Sequence, residues 1–296
     1  VTFGFAGTSQ YAAGCLERLL ALDVPIALVL SQPDRPAGRH RRLTPPPVVD
    51  LARERGIAVH QPERAGDVAP AITAAGVRAM AICAYGQLLP ASLLHLVPWL
   101  NIHPSLLPRW RGAAPIERAI MAGDAETGVA VMHVVEELDA GPIVHLDRLP
   151  IGATDDAGTL MERSLDLACP ALRDALSQAA TDQLEATPQA TGGITYAHKL
   201  VAADRQLDPA ETVESADRRI RALAPAIGAT ITLGGDRFVV WKATVSGSDA
   251  TGPLIVPFAG GALALDVVQP PGRRSMTRDE LLRGWRRPLT PVTRGT

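Results

Sequence analysis

Short apolar runs alternate with amphipathic stretches through the first half of the chain, and their lengths separate strands from helices. Runs at Phe3–Ala6, Ile26–Leu30, Ala79–Ala84 and Leu100–His103 are of strand length, with a shorter one at Ala58–His60. Between them, residues 12–20, 48–55, 68–75 and 114–122 read as helices. This alternation predicts parallel strands joined by crossover helices, an α/β architecture with a Rossmann-like, mostly parallel sheet. Two later runs, 128–135 and 143–149, are close enough in sequence to pair antiparallel, and 159–180 reads as one long helix.

Beyond Thr181 the pattern loosens, and Pro188, Gly192 and Gly193 mark a linker. After a helix at 216–223 come short alternating runs at 230–233, 238–244, 254–258 and 262–268, separated by glycine-bearing turns. Such spacing predicts a small OB-like β-barrel. The expected division is therefore a larger domain over residues 1–182, a linker over 183–203 and a barrel domain over 204–296.

Composition adds modest constraints. Of 296 residues, 47% are apolar and 20% charged, which fits a globular protein large enough for more than one core. The net charge of −2 is unevenly spread. From Asp204 onward 13 basic residues face 10 acidic ones, so the near-neutral total conceals a basic tail and leaves a nucleic-acid partner open. Cys15, Cys83 and Cys169 are isolated, which argues against a disulfide framework or a zinc site and fits a reducing cytoplasm. The first residues read as a strand rather than a secretion signal, and the most apolar stretch, 79–100, is broken by Gly86, Gln87, Pro90 and Pro98. A cytoplasmic protein that does not enter a membrane is the expectation.

The candidate chemistry lies at the end of the fourth long apolar run. Asn101 and His103 are two residues apart, so on a strand both project from one face, at the carboxyl end where open α/β sheets bind ligands. Asp139, in Leu138-Asp139-Ala140-Gly141, supplies a carboxylate that can fold back on them. Acyl transfer to an amine requires a donor for a developing oxyanion and a base for the amine proton. An amide, an imidazole and a carboxylate meet those requirements. Each is common alone, and an Asp in such a turn is more often a turn former.

Their setting is distinctive. Asn101 and His103 run into Ser105-Leu106-Leu107-Pro108-Arg109-Trp110-Arg111-Gly112, Asp139 follows His103 by 36 residues, and Ala84-Tyr85-Gly86-Gln87-Leu88-Leu89-Pro90 precedes them. In order and spacing this resembles the formyltransferases that draw on 10-formyltetrahydrofolate, and within them the methionyl-tRNA formyltransferase family. The resemblance implies Asn101, His103 and Asp139 as the catalytic trio. It also implies folate contacts from Ser105, Leu106, Leu107 and Pro108, with Tyr85, Gly86 and Leu89 beside them, and no metal. The segment 31–43 carries Arg35, Arg39, Arg41 and Arg42 against one acid, Asp34, and reads as an exposed loop. It resembles the insertion through which such enzymes grip the acceptor end of tRNA, Arg39 foremost. The pieces 195–200, 240–243 and 269–276 resemble the family's linker and carboxyl-terminal barrel, with Arg273 and Arg274 as further tRNA contacts. The implied enzyme is a monomer that formylates the α-amine of charged initiator tRNA.

Other readings remain. The same chemistry could serve a small or carrier-bound amine, which the arginine loop and basic tail disfavour. A non-catalytic RNA-binding protein would have little reason to keep all three of Asn101, His103 and Asp139. A nicotinamide enzyme is disfavoured because Gly4-Phe5-Ala6-Gly7 lacks the G-x-G-x-x-G spacing and Ser31 and Gln32 stand where a carboxylate would end the second strand.

Overall fold

The strand-length runs are apolar throughout because the sheet they form is covered on both faces. In chain order its strands are β1 (Thr2–Gly7), β2 (Ile26–Leu30), β3 (Ala58–His60), β4 (Val77–Cys83), β5 (Trp99–His103), β6 (Glu126–His133) and β7 (Ile143–Pro150). They lie in the spatial order β7-β6-β5-β4-β1-β2-β3. Pairings among β3, β2, β1, β4 and β5 are parallel, and β6 runs antiparallel to β5. The structure, a computed structural model, describes residues 1–37 and 42–289.

Helices α1 (Gln10–Ala21), α2 (Pro47–Glu54), α3 (Ala69–Ala74), α4 (Pro115–Ala122) and α5 (Ala157–Ala179) accompany these strands along the chain. Phe3, Phe5, Val29, Ala79 and Ala81 enter one core with Leu16 and Leu19 of α1, Val48 of α2 and Leu172 and Leu176 of α5. Ala6, Leu28, Leu30, Met80 and Ile82, at alternating strand positions, enter a second core with Ile72 of α3 and with Trp99. Each fully buried leucine contributes about 1.5–3 kcal/mol relative to exposure. Local signals agree with this packing: Ser9 caps α1, its hydroxyl accepting from the Ala12 N–H at 3.3 Å.

The chain forms two compact units. The first gathers Val1–Pro115, Thr127–Leu149 and Met161–Tyr196; the second gathers Ile116–Glu126, Pro150–Leu160 and the residues from Ala197 on. In the second unit β8 (Ala229–Leu233), β9 (Asp236–Ser246), β10 (Ile255–Phe258), β11 (Gly261–Gln269) and β12 (Met276–Thr277) form an antiparallel sheet in the order β8-β9-β11-β10, with β12 also on β11. Bridges from Gln206 to Thr230 and from Thr212 to Ala259 put one short segment against both edges, which gives the sheet its barrel-like closure. Helices α6 (Val213–Leu223) and α7 (Arg278–Gly284) complete the unit, whose core holds Ile220, Ile231, Phe238, Val240 and Leu265.

Three of the elements that differ from the sequence expectations have a clear local cause. The helix expected at 68–75 is a 3₁₀ turn, Ala65–Val68, followed by α3; Pro70, which lacks an N–H, stands in the first turn, where an α-helix tolerates it. Part of the arginine-rich loop is a hairpin, Arg35–Ala37 pairing antiparallel with Arg42–Thr44, which its charged residues concealed. Helix α7 follows the barrel strands and was not expected; Thr277 and Glu280 form its capping box. The Arg274 guanidinium and the Thr277 N–H pull the Glu280 carboxyl down to about 2, so the cap persists into acid.

Phe238 is fully buried and meets Trp285 edge-on at 5.3 Å between ring centres. Phe238→Ala should destabilise the second unit by about 3–5 kcal/mol in urea unfolding followed by circular dichroism. A loss below about 1 kcal/mol would mean that this core closes without the ring.

Candidate active site

Asn101 and His103 close strand β5 in register with β4 and β6: Asn101 stands beside Ile82 and Met132, and His103 beside Ala130. The two side chains therefore share one face at the carboxyl end of the strand. The sheet reverses its winding between β1 and β4, next door to β5, which is where such sheets hold ligands. The loops leaving β1 and β4 are tied together there, because the Tyr85 carbonyl accepts from Thr8 Oγ1 at 2.8 Å and from Gln32 Nε2 at 3.0 Å.

His103 is 4% exposed, with one ring nitrogen hydrogen-bonded and the other turned to a carboxylate. Nε2 lies 2.8 Å from the Trp110 carbonyl oxygen. A carbonyl only accepts, so Nε2 carries a hydrogen and donates. Nδ1 faces Asp139, whose Oδ2 is 3.6 Å away. The same Oδ2 accepts from the Gly112 N–H at 2.8 Å. Residues far apart in sequence are thus brought together, with Nδ1 as the nitrogen that carries no hydrogen and faces the carboxylate.

The backbone around this pair is strained. Trp110 and Asp139 have φ of +63° and +49°, a region that costs a non-glycine residue roughly 1–2 kcal/mol. Neighbouring groups hold both in place. Trp110 N donates to Thr195 Oγ1 and Arg111 N to the Thr195 carbonyl, both at 2.9 Å. Ser105 Oγ donates to the Arg109 carbonyl at 2.8 Å. Gln189 Nε2 donates to the carbonyls of Asp139 and Gly141 at 2.8 and 2.9 Å, while its Oε1 accepts from Arg111 Nη2 at 2.9 Å and Nε at 3.2 Å. Arg111, 5% exposed, also pairs with Glu137 at 2.9 Å.

The expected folate residues have varied surroundings. Ser105 and Leu107 are buried, Leu107 packing on Ala130, Met132 and Ile143. Leu106 lies against Gly128, and the Pro108 carbonyl accepts from Thr195 N at 3.4 Å. The Tyr85 ring is 2% exposed in the core with Leu30 and Leu93, and burial pushes its hydroxyl up to about 12. What Tyr85 offers a ligand is backbone. Gly86 has φ +80° and sits where a Cβ would come within 2.4 Å of Gln32 Nε2, so glycine is required; Leu89 is half-buried beside it.

Of the expected tRNA contacts, Arg39 and Arg41 lie outside the described residues. Arg35 donates to Gln32 Oε1 at 2.6 Å, and Arg42 is exposed on its hairpin. In the second unit, Arg273 and Arg287 approach the Trp285 ring at 5.8 and 5.9 Å, and with Asp236, Pro271 and Arg286 they line a cavity of about 290 Å³. Arg274 pairs with Glu280 at 2.9 Å. Among the described residues, no three His, Cys, Asp or Glu side chains converge as a metal site, and no helix is long and apolar enough to cross a membrane.

Residues 3–176 match the family described as formyl transferase, and residues 199–286 match the formyl transferase C-terminal domain. A methionyl-tRNA formyltransferase from Delftia acidovorans is 41% identical, over 98% of this chain and 97% of its own length. The chain belongs to the methionyl-tRNA formyltransferase family. Members of that family are formyl-transferring enzymes, and the fold agrees. HypX from Aquifex aeolicus, solved with tetrahydrofolic acid, superposes with a TM-score of 0.64 at 17% identity over 83% of this chain; the chain spans 45% of that protein. An N-formyltransferase from Helicobacter canadensis, solved with folinic acid and dTDP-3-aminofucose, gives 0.62 at 16% identity, over 91% of this chain and 99% of its own.

Sequence reasoning did not single out Arg111 and Gln189 as parts of this candidate site. Arg111 stands inside the motif already singled out, whereas Gln189 lies in the expected linker and carries no pattern. Gly141 shows how tight the Asp139 turn is: a Cβ there would stand 1.8 Å from the His133 carbonyl oxygen. Gly141→Ala should cost about 1–3 kcal/mol in urea unfolding and speed hydrogen exchange at the Gly112 amide that holds Asp139. Unchanged exchange at that amide would show that the turn absorbs the methyl group.

Proposed function

We propose that this enzyme transfers the formyl group of 10-formyltetrahydrofolate to the α-amino group of methionyl-tRNA, the initiator species, with Asn101, His103 and Asp139 as its catalytic residues. The observation that carries the mechanism is the His103 imidazole, with Nε2 committed to the Trp110 carbonyl and Nδ1 turned toward the Asp139 carboxylate.

The attacking amine forms a C–N bond to the formyl carbon, and the carbonyl electron pair moves onto oxygen. Asn101, on the same strand face as His103, offers its amide N–H to that oxyanion. His103 Nδ1 takes the proton the amine sheds, and the resulting imidazolium is stabilised by Asp139, 3.6 Å away. As the carbonyl re-forms, the bond to the folate nitrogen breaks with its electron pair. His103 returns the proton to that nitrogen, so atoms and charge balance. Burial of His103 strengthens each of these electrostatic interactions relative to water.

Support for a folate donor comes from the family and from similarly folded proteins solved with tetrahydrofolic and folinic acids. On this chain the cradle would be Ser105–Pro108 together with the backbone of Tyr85–Leu89. The buried Ser105, the polar carbonyls of these turns and the glycine at 86 suit a flat heterocycle read through main-chain groups. Support for tRNA as acceptor comes from the near-full-length relatives and from basic groups in each unit: Arg35, Arg42 and the neighbouring Arg39 and Arg41 in the first, Arg273 and Arg274 in the second. Guanidinium groups bind phosphate through paired hydrogen bonds and stack on unpaired bases.

Incubation with 10-formyltetrahydrofolate and charged methionyl-tRNA should give N-formylmethionyl-tRNA, with no comparable product from free amino sugar nucleotides. The reverse preference would overturn the choice of acceptor. His103→Ala and Asn101→Ala should each lower kcat by ~100–1,000-fold, and parent-like turnover in a folded variant would remove that residue from the mechanism.

Arg42→Ala and Arg273→Ala should each remove one phosphate-neutralising charge and flatten the slope of log K against log salt for tRNA by about 0.7–0.9. Folate affinity should stay unchanged. An unaltered slope in both variants would place the tRNA elsewhere.

A further inference from the structure

The carboxylate proposed to face His103 is on a strained, tightly packed turn. Asp139 has left-handed backbone geometry, Gly141 leaves no space beside His133, and Gly112 supplies the N–H that Oδ2 needs. One side chain reaches every part of this arrangement. Both amide hydrogens of Gln189 are spent on the carbonyls of Asp139 and Gly141, and its oxygen takes two N–H groups from Arg111, the residue before Gly112. We infer that Gln189 is a positioning residue for formyl transfer, clamping the Asp139 turn to the Arg111–Gly112 segment so that the carboxylate stays aimed at His103.

The residue type is specific to this task. The arrangement requires two donors on one side and an acceptor on the other, in one plane, and a primary amide alone among side chains provides both. Glutamate would keep the bond to the Arg111 guanidinium but set an anion against two carbonyl oxygens. Leucine or alanine would leave the donors of Arg111 and the two carbonyls without this partner. Neighbouring bonds fix where Gln189 stands. Thr187 exchanges two 2.8 Å backbone hydrogen bonds with Ile143, and Thr195 binds Trp110 and Arg111, so the segment carrying Gln189 is pinned on both sides of it. Arg111 is further held by Glu137, on the approach to the same turn. The hydrogen bonds of Gln189 span 48, 50 and 78 residues of sequence, and no side chain of the proposed catalytic trio makes them.

The inference rests on the reading of Asp139 as the partner of His103, and the test separates the two. Kinetics with 10-formyltetrahydrofolate and charged methionyl-tRNA would be compared for the parent, Gln189→Ala, Gln189→Glu, Asp139→Asn and the double variant Gln189→Ala/Asp139→Asn. Gln189→Ala should lower kcat by roughly 10–100-fold with KM for both substrates within about twofold, since it misplaces a group that acts on the developing charge. Gln189→Glu should lower kcat by a similar factor while retaining the Arg111 attachment and the parent's circular dichroism spectrum at the assay temperature, so a folding defect in the alanine variant leaves the idea testable. The double variant should be no slower than Asp139→Asn alone, because the clamp has nothing left to aim. Parent-like kcat in Gln189→Glu, or a double variant slower by the product of the single effects, would overturn the positioning role. Parent-like kcat in Asp139→Asn would instead overturn the catalytic reading itself.

Discussion

In the proposed mechanism everything depends on the hydrogen bond from His103 Nε2 to the Trp110 carbonyl, because it decides which imidazole nitrogen is available. A neutral imidazole between a carbonyl and a carboxylate could adopt either of two tautomers. Committing one nitrogen to a backbone acceptor leaves Nδ1 for proton exchange, aimed at Asp139. That commitment in turn depends on Trp110 holding a left-handed backbone, which Thr195 secures from a distant part of the sequence. The site is built less by the sheet than by the loops that the sheet brings together. The sheet contributes the face shared by Asn101 and His103 and the position at the end of β5.

This division of labour explains what the sequence disclosed. Strands buried on both faces produce unbroken apolar runs, so β1, β2, β4 and β5 stood out by length and composition alone. Asn101 and His103 were legible because a period of two is a property of any strand, whatever surrounds it. Asp139 could be singled out only through its spacing and motif, since a carboxylate in a turn has no signature of its own. Gln189 had no signal at all. It lies among polar residues without periodicity, and its importance comes from four hydrogen bonds to residues far along the chain. Tyr85 is the complementary case: the motif marks the residue, and only the structure shows its ring in the core and its carbonyl bonded to Thr8 and Gln32.

The hairpin at residues 35–44 shows why charged segments resist reading. Alternation of apolar and polar positions is what betrays a strand, and at three residues each Arg35–Ala37 and Arg42–Thr44 are too short to display it. Their pairing is set instead by backbone hydrogen bonds and by side-chain anchors at the base. Arg35 binds Gln32, Gln61 binds Asp34 and the Gln32 carbonyl, and Gln32 in turn binds the Tyr85 carbonyl. The base of the basic hairpin is therefore wired directly to the loop after β4.

That wiring passes through one side chain. Gln32 Nε2 donates to the Tyr85 carbonyl in the proposed folate loop, and its Oε1 accepts from the Arg35 guanidinium at the root of the proposed tRNA arm. Main-chain carbonyls cannot be repositioned by side-chain rotation and have to be held by their neighbours, and Thr8 and Gln32 do this for the carbonyl of Tyr85.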